Sequence, residues 1–202
     1  MFMLPFVIYS DFEIVIINNV HVPCGYALQV ISSVSGVNFP LVLYRGISEE
    51  DIMYHFFDDI FRIEKFIMEL YKRNEDINLS EEEINKKKNE AIRCYLCEKP
   101  FLDDKVVDHD HLTGEFRGIA HNKCNLQLQG SNMIPVFFHN LKNYDSHIII
   151  SAYIKYGTER RIEAVAQTSE KYVSFTIGIL RFVDSFAFMA SSLIFIRKYL
   201  YT

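Results

Sequence analysis

Two acidic side chains, Asp11 and Glu13, flank Phe12 just after an apolar run at residues 4–9. Because side chains on a strand alternate between its two faces, Asp11 and Glu13 should point to one side and Phe12 to the other. Neighbouring carboxylates repel each other unless a cation lies between them, and Mg²⁺ prefers such oxygen ligands. The pair is therefore a candidate for phosphoryl-transfer chemistry, in which carboxylates hold the metal ions that stabilise the attacking and leaving oxygens.

A further acid, Asp145, lies far downstream and follows a second apolar run at residues 134–138. The segment between them, residues 139–144, reads His-Asn-Leu-Lys-Asn-Tyr. An acid pair at a strand end is common by itself, so the catalytic interpretation of Asp11 and Glu13 depends on this second segment.

Together the two segments resemble the first and second exonuclease motifs of protein-primed family B DNA polymerases, found in small phages and in Maverick/Polinton-type transposable elements. The resemblance implies a 3′–5′ exonuclease site in which Asp11, Glu13 and Asp145 bind Mg²⁺ or Mn²⁺. It extends to residues 184–186, although Phe186 stands where that family usually has Leu. The residues that it implies at a single-stranded 3′ DNA end are His139, Asn140, Tyr144, Ser185 and Phe186.

Three of the four cysteines lie in a short central segment, where Cys94 and Cys97 form C-x2-C and Cys124 follows His121 as H-x2-C. Two such knuckles supply the four ligands of a closed tetrahedral zinc site. The alternative is a disulfide framework, but only Cys24 lies elsewhere and no signal peptide is visible. The spacing therefore predicts a structural Zn²⁺ ion.

Between the two knuckles, residues 107–118 combine an apolar strand entry, a polar cluster and a Thr-Gly turn, which predicts a β-hairpin. The cluster runs from Asp108 to His111 as Asp-His-Asp-His, and Asn125 follows the last cysteine. These features resemble the His-Me finger of phage recombination endonuclease VII, except that His121 replaces one of its zinc cysteines.

This second resemblance implies a one-metal nuclease site. Asp108 and Asn125 would hold Mg²⁺ or Mn²⁺, and His109 would act as the general base, a task suited to an imidazole that titrates near neutral pH. The supporting and phosphate-contacting residues that it implies are His111, Arg117 and Lys123. The alternative is a zinc-stabilised DNA-binding module that has no catalytic activity.

The elements that must position these residues follow from hydrophobic periodicity and turn signals. Three apolar runs at residues 6–17, 26–34 and 39–44 predict an antiparallel meander. Capping signals at Ser48 and Ser80 open two helices, the first with a long apolar stripe. The elements predicted after the zinc module are a buried parallel strand at 134–138, a helix at 144–156, two or three strands within 162–184 and a terminal helix at 186–200.

This order predicts an α/β fold with a ribonuclease H-like, exonuclease-type mixed sheet. Residues 1–80 and 131–202 would form the sheet domain, and residues 81–130 an inserted zinc-binding treble-clef or ββα-metal module. Topology and resemblance together place Asp11, Glu13 and Asp145 near one another. The polymerases of the transposable elements carry an endonuclease VII-like insertion at this same point, between the first two exonuclease motifs.

Composition narrows the function classes. A chain of 202 residues, half of them apolar, can bury one substantial core and a small metal-stabilised module. Without an apolar segment of membrane-spanning length, the sequence predicts a soluble intracellular protein with no membrane partner, nuclear if its source is a eukaryotic transposon. The net charge of −5 disfavours a non-specific basic DNA binder, although bound magnesium restores positive charge locally.

The Tyr-x3-Asp motif that completes family B exonucleases does not follow Asp145, and polymerase-domain motifs are also missing. The one match, from Tyr54 to Asp58, precedes the second motif and lies on the amphipathic helix, so we interpret it as a solvated helix face. The resemblance therefore predicts a truncated polymerase chain that lacks the remainder of the polymerase. Two interpretations stay open: a nuclease region with an incomplete exonuclease site, or a non-catalytic zinc-stabilised DNA-binding remnant.

Overall fold

The computed structural model describes residues 4–128, 133–143, 145–156, 160–168 and 171–187. The chain forms two compact units, the first from residues 1–65 and 133–202 and the second from residues 66–132. Among the described residues, no helix combines the length and the apolar composition that crossing a bilayer requires.

Nine strands and four helices are described. The strands are β1 (Phe6–Ile17), β2 (Val20–Ser32), β3 (Val42–Arg45), β4 (Lys105–His109), β5 (Phe116–His121), β6 (Ile134–Phe138), β7 (Ile162–Thr168), β8 (Lys171–Ile177) and β9 (Leu180–Asp184). The helices are α1 (Glu49–Tyr71), α2 (Glu81–Glu90), α3 (Asn122–Leu128) and α4 (Asp145–Tyr156). Short 3₁₀ turns lie at Leu141–Asn143 and Ser185–Ala187.

The first unit contains a seven-stranded mixed sheet in the order β3-β2-β1-β6-β9-β8-β7. Strands β1, β6 and β9 run parallel to one another, as predicted for residues 134–138, and the other neighbouring pairs are antiparallel. Tyr9 pairs with Phe137, and Phe138 pairs with Asp184. The three parallel strands therefore direct their carboxyl ends, and the residues that follow them, to one edge of the sheet, which we call the carboxyl edge.

One face of this sheet is buried under α1. On β1 the alternate residues Phe6, Ile8 and Phe12 are buried, whereas Asp11 and Glu13 are exposed, which confirms the predicted alternation. The ring of Phe56 on α1 packs against the buried face, with its centroid 4.8 Å from that of Phe12. The apolar stripe of this helix is thus core.

Solvent covers the opposite side of α1. Tyr54 is 65% exposed and Asp58 is also exposed, which confirms that this Tyr-x3-Asp match is a solvated helix face.

Several element boundaries differ from those predicted. Strand β2 begins at Val20 rather than at residue 26, because Asn18 and Asn19 both have positive φ angles, of 50° and 62°, and close a two-residue hairpin turn. The third strand begins at Val42 rather than at residue 39. Of the predicted terminal helix at 186–200, only the start is described, as a 3₁₀ turn, and residues 188–200 lie outside the described residues.

The second unit contains α2 and the β4–β5 hairpin, with α3 packed against both strands. The Ser80 hydroxyl accepts the backbone N–H of Glu83, and the Glu83 carboxylate accepts that of Ser80, which confirms the capping box. The hairpin appears where residues 107–118 predicted it. Two strands followed by a helix give this unit a ββα order.

A buried acid, Glu64 on α1, binds residues that precede two strands of the sheet, β7 and β9. Its side chain is 3% exposed, forms an ion pair with Arg160 and accepts the backbone N–H of Ile179 at 3.1 Å. The Arg160 guanidinium in turn lies 4.2 Å from the centroid of the Phe61 ring. Both oxygens of a buried carboxylate therefore have partners, as burial requires.

Replacing Glu64 with Ala should destabilise the first unit, because it leaves a guanidinium and a turn N–H without their acceptor. The Arg160 side chain is 40% exposed, so water compensates it in part, and we expect a loss of about 2 kcal/mol. The exposed Glu50, on the same helix, provides the control, because Glu50→Ala should change stability by less than about 0.5 kcal/mol. Urea unfolding followed by NMR signals of the sheet measures both variants, and equal stabilities would contradict the assigned role of Glu64.

Candidate metal centres

The four predicted zinc ligands converge in the second unit. The ligand atoms of Cys94, Cys97, His121 and Cys124 all lie within 4.8 Å of one another. The sulfur atoms of Cys97 and Cys124 lie 3.4 and 3.8 Å from Nδ1 of His121. Tetrahedral zinc with ordinary bond lengths would separate a thiolate sulfur from an imidazole nitrogen by about 3.6 Å. The donor set and its geometry fit a closed structural zinc site.

Neighbouring groups act on these ligands in different directions: burial and the adjacent thiols raise the pKa of Cys124 to about 11, whereas the surroundings of His121 and Cys94 favour metal binding. Nε2 of His121 lies 3.2 Å from the Pro100 carbonyl and donates to it, which leaves Nδ1 with a lone pair for the ion. Burial raises the pKa of the Cys94 thiol, but backbone N–H groups, including those of His121 and Cys97, outweigh burial and lower this pKa to about 6. Cys94 is therefore disposed to bind metal as a thiolate.

Strand β4 carries Asp108 and His109, with a bulge between them. Asp108 is only 4% exposed, accepts a hydrogen bond from the Tyr95 hydroxyl and lies 4.0 Å from the Arg117 guanidinium. Burial first, and then the bond to Asp108, raise the pKa of Tyr95 well above its usual value, so that tyrosine stays a donor. One carboxylate oxygen is thus held by a neutral donor beside a cationic side chain.

His109 is held by the segment that precedes α2. Its Nε2 lies 3.3 Å from the Glu75 carbonyl, and as the donor of that bond it leaves Nδ1 free to accept a proton. The segment is fixed by two backbone bonds of 2.8 Å, from Glu75 N–H to the His111 carbonyl and from Asn78 N–H to the Gly114 carbonyl. The exposed ring of His111 lies 4.5 Å from that of His109, centroid to centroid.

Asn125 lies on α3, the helix packed against β4 and β5. Its Oδ1 atom is buried and has no hydrogen-bond partner among the described residues. Leaving a buried acceptor unpaired costs about 1–3 kcal/mol, so such an atom calls for a ligand. A carboxamide oxygen together with the buried carboxylate of Asp108 is a donor pair suited to a hard divalent cation.

Two basic side chains were predicted to contact phosphate. Arg117 Nη2 lies 2.5 Å from Asp110, whose own pKa is lowered by the Leu112 backbone N–H and by Arg117 although burial opposes that shift. Arg117 is therefore engaged within the hairpin. Lys123, on α3, is exposed.

The carboxyl edge of the first unit gathers a second group of acids. Asp145 opens α4 and is 4% exposed; burial first, and then Asp11 and Asp184, raise its pKa to about 7. Burial and then Glu13 raise the pKa of Asp11. The structure thus brings the predicted carboxylates into electrostatic contact. Their oxygens do not converge as tightly as the zinc ligands, which form the one converging group of three or more metal-binding side chains among the described residues.

The predicted DNA-contacting residues of this unit lie around the same edge. Nδ1 of His139 lies 3.1 Å from Oγ of Ser185, which is buried, and its ring meets the edge of Phe186, with ring centroids 5.4 Å apart. Asn140 follows His139 with a positive φ of 67°. Tyr144 lies outside the described residues.

Sequence reasoning missed three groups that support these sites: the Tyr95 hydroxyl, the Glu75 carbonyl and the Asp184 carboxylate. A signal for Asp184 was available, because this acid directly follows an apolar run, as Asp145 follows the run at residues 134–138. No side-chain pattern reveals a backbone carbonyl such as that of Glu75.

Comparison with known proteins bears on most of the second unit and on residues 133–156 of the first. Residues 68–156 match the family model described as recombination endonuclease VII. The match covers less than half of the chain, but it includes the zinc ligands, Asp108, His109 and Asn125, and so confirms the resemblance predicted for this segment. No curated protein and no solved structure matches the chain. The polymerase resemblance has no support from these comparisons and stays a prediction.

One zinc ion per chain should be found by elemental analysis of purified protein, and Cys97→Ser should abolish it. Because small zinc modules depend on the metal for folding, residues 94–128 of the variant should lose hydrogen-exchange protection while the sheet of the first unit keeps it. Cys24→Ser is the matched control and should retain zinc, since Cys24 lies on β2, outside the cluster. Zinc-free wild-type protein, or a disulfide between Cys94 and Cys97, would refute the site.

Proposed function

We propose that the second unit is a metal-dependent DNA endonuclease module. The observation that carries the proposal is the orphaned, buried Oδ1 of Asn125 on a helix packed against the strand of buried Asp108. The family match over residues 68–156 supports the same chemistry. Zinc supports the fold of this unit, whereas a second, harder cation would serve the reaction.

In this proposal each residue has a distinct role. Asp108 and Asn125 would hold Mg²⁺ or Mn²⁺, and the ion would supply positive charge beside the phosphate and the leaving oxygen. His109 accepts the proton of the attacking water at Nδ1, because its Nε2–H is bonded to the Glu75 carbonyl. Tyr95 fixes the orientation of Asp108 through its hydroxyl.

Double-stranded or branched DNA is the proposed substrate. The exposed side chains of Lys123 and His111 are available for phosphate contacts. Arg117 forms an ion pair with Asp110, so its main role is to stabilise the hairpin. With a net charge of −5, the chain as a whole does not attract DNA, so binding should depend strongly on the divalent cation.

Wild-type protein with Mg²⁺ or Mn²⁺ should nick double-stranded or branched DNA, and His109→Ala should lower the rate by at least about a hundredfold, since general-base catalysis contributes that much. The zinc content should not change, because His109 is not a zinc ligand. Asp108→Ala and Asn125→Ala should be comparably damaging through loss of the catalytic cation. A supercoiled-plasmid nicking assay with parallel zinc analysis measures all three variants.

Asp11→Ala is the matched control and should nick as wild type does, because it lies in the other unit. Full activity of His109→Ala would show that the base is misassigned. Wild-type protein that binds DNA but cuts it with neither cation would favour the other function, a non-catalytic, zinc-stabilised DNA-binding remnant.

We also propose that the first unit is a ribonuclease H-like, exonuclease-type domain from a protein-primed family B DNA polymerase. Two observations support this proposal. The first is the strand order, with an antiparallel meander on one side of the parallel strands β6 and β9. The second is that the charge of Asp11 raises the pKa of Asp145 at the carboxyl edge. Asp11, Glu13 and Asp145 would hold Mg²⁺ or Mn²⁺, and a single-stranded 3′ end would lie near His139.

Manganese binding at this edge should depend on pH. Asp145 has a raised pKa of about 7, so its metal-binding form appears only as the pH rises through that value. We expect affinity about tenfold weaker near pH ~6 than near pH ~8, whereas an ordinary carboxyl would be ionised at both. EPR titration of protein carrying Asp108→Ala, which removes the other proposed cation site, measures the affinity.

Asp11→Ala in the same background should abolish this binding, and pH-independent affinity would contradict the role of Asp145. Release of mononucleotides from single-stranded 3′ ends should be weak, because three carboxylates without a fourth hold a second metal poorly. Processive release that Asp11→Ala abolishes would show instead that the exonuclease site is complete.

A further inference from the structure

Asp184 lies at the carboxyl end of β9 and is 4% exposed, and its carboxylate binds three backbone N–H groups. Oδ1 accepts the N–H of Asn140 and the N–H of Phe186, each at 2.9 Å. Oδ2 accepts the N–H of Lys142 at 3.0 Å. A carboxylate only accepts hydrogen bonds, so it suits a position where three donors converge.

Two of these donors belong to the loop of residues 139–143, which connects β6 to α4 and leads into Asp145. Asn140 in this loop has a φ of 67°, a left-handed conformation that asparagine adopts more readily than most residues and that turns the chain sharply after His139. The carboxylate of Asp184 is the group seen to hold it, through the Asn140 N–H itself.

The two residues after Asp184 contact the same loop. The hydroxyl of Ser185, which is 3% exposed, lies 3.1 Å from Nδ1 of His139, and the ring of Phe186 meets the His139 ring edge-on. Residues 184–186 thus hold the loop through backbone, hydroxyl and ring contacts. A buried hydroxyl engaged in this way acts on the loop rather than at the protein surface.

We propose that Asp184 is a positioning residue for the carboxyl edge: it fixes the 139–143 loop, and thereby sets Asp145 in place for metal binding with Asp11. This inference rests on the proposed cation site of the first unit. Asp184 acts through the loop, because three of the roughly four lone-pair positions of its carboxylate already accept N–H groups. Supporting hydrogen bonds of this kind commonly change metal affinity by about 10–100-fold.

Asp184→Asn tests the role directly. The amide keeps one acceptor oxygen, but its NH₂ group would face a backbone N–H, so at least one of the three bonds must break. In the Asp108→Ala background, Mn²⁺ affinity at the carboxyl edge should fall about tenfold. Exchange of the Asn140, Lys142 and Phe186 amides, followed by NMR without metal, should accelerate at the same time.

Asp59→Asn is the matched control. Asp59 is likewise a carboxylate of the first unit that accepts a hydrogen bond, from the Tyr26 hydroxyl at 2.6 Å. Its replacement should leave Mn²⁺ affinity and the three amides unchanged, which separates positioning from general loss of stability. If Asp184→Asn does not fold, Asp184→Ser offers a smaller side chain that still accepts an N–H, and the same two changes are expected.

The outcomes separate this inference from the proposed function. If Asp11→Ala leaves Mn²⁺ binding intact, the cation site itself is wrong, and the inference fails with it. If Asp11→Ala abolishes binding but Asp184→Asn binds Mn²⁺ as tightly as the background protein, the site stands and the positioning role is overturned. Loss of Mn²⁺ with unchanged exchange of the three amides would also overturn it, because Asp184 would then be a direct ligand.

Discussion

The parallel pairing of β1 with β6, and of β6 with β9, is the constraint on which the first unit depends. It joins strands that begin at Phe6, Ile134 and Leu180, so more than a hundred residues separate the first two partners. Pairing strands from such distant parts of a chain costs loop-closure entropy, and the packed rings of Phe12, Phe56 and Phe138 on the buried face help to offset that cost. Because side-chain period and strand direction are then fixed, the residues that lie beyond the parallel pairing on each strand arrive at the same edge. The grouping of acids at the carboxyl edge therefore follows from the register in which β1, β6 and β9 pair.

Much of this could be predicted from residue patterns, because the signals were local. The capping box at Ser80 and the alternation around Phe12 depend on neighbours within a few positions, and the zinc knuckles on a fixed spacing of soft ligands. Interactions that depend on distant backbone were not predictable. The carbonyl that orients His109 comes from Glu75, which is more than thirty positions away and identified by no side-chain type. Strand β2 starts six residues before the predicted apolar run, because Asn18 and Asn19 form a tight turn that hydrophobic periodicity does not reveal.

Both units gather ionisable side chains that could bind a metal ion, but the chemistry of these side chains differs. In the second unit, thiolates and an imidazole surround a position suited to a borderline-soft ion, and N–H groups around Cys94 lower its pKa to about 6. In the first unit, carboxylates are crowded and partly buried, and the pKa of Asp145 rises to about 7. If the proposed sites bind their ions, the cysteine cluster of the second unit would be stabilised by keeping its ion, whereas the carboxyl edge of the first unit would exchange an ion for a proton near neutral pH. Such a difference suits a permanent structural role in one place and a reversible one in the other.

Strand β1 is paired unequally along its length. Its partner β2 follows it to Ile17, but β6 pairs with it only at Ile8 and Tyr9, and the tip carries exposed apolar residues such as Ile16. Beyond Glu13 the strand therefore belongs to a two-stranded ribbon, an arrangement that is marginally stable by itself. Local opening should be rare at Ile8 and frequent at Ile17. Asp11 and Glu13 lie where the stable part of β1 gives way to the two-stranded ribbon. An ion bound to them would therefore extend the stable part toward Ile17 and make opening of the ribbon less frequent.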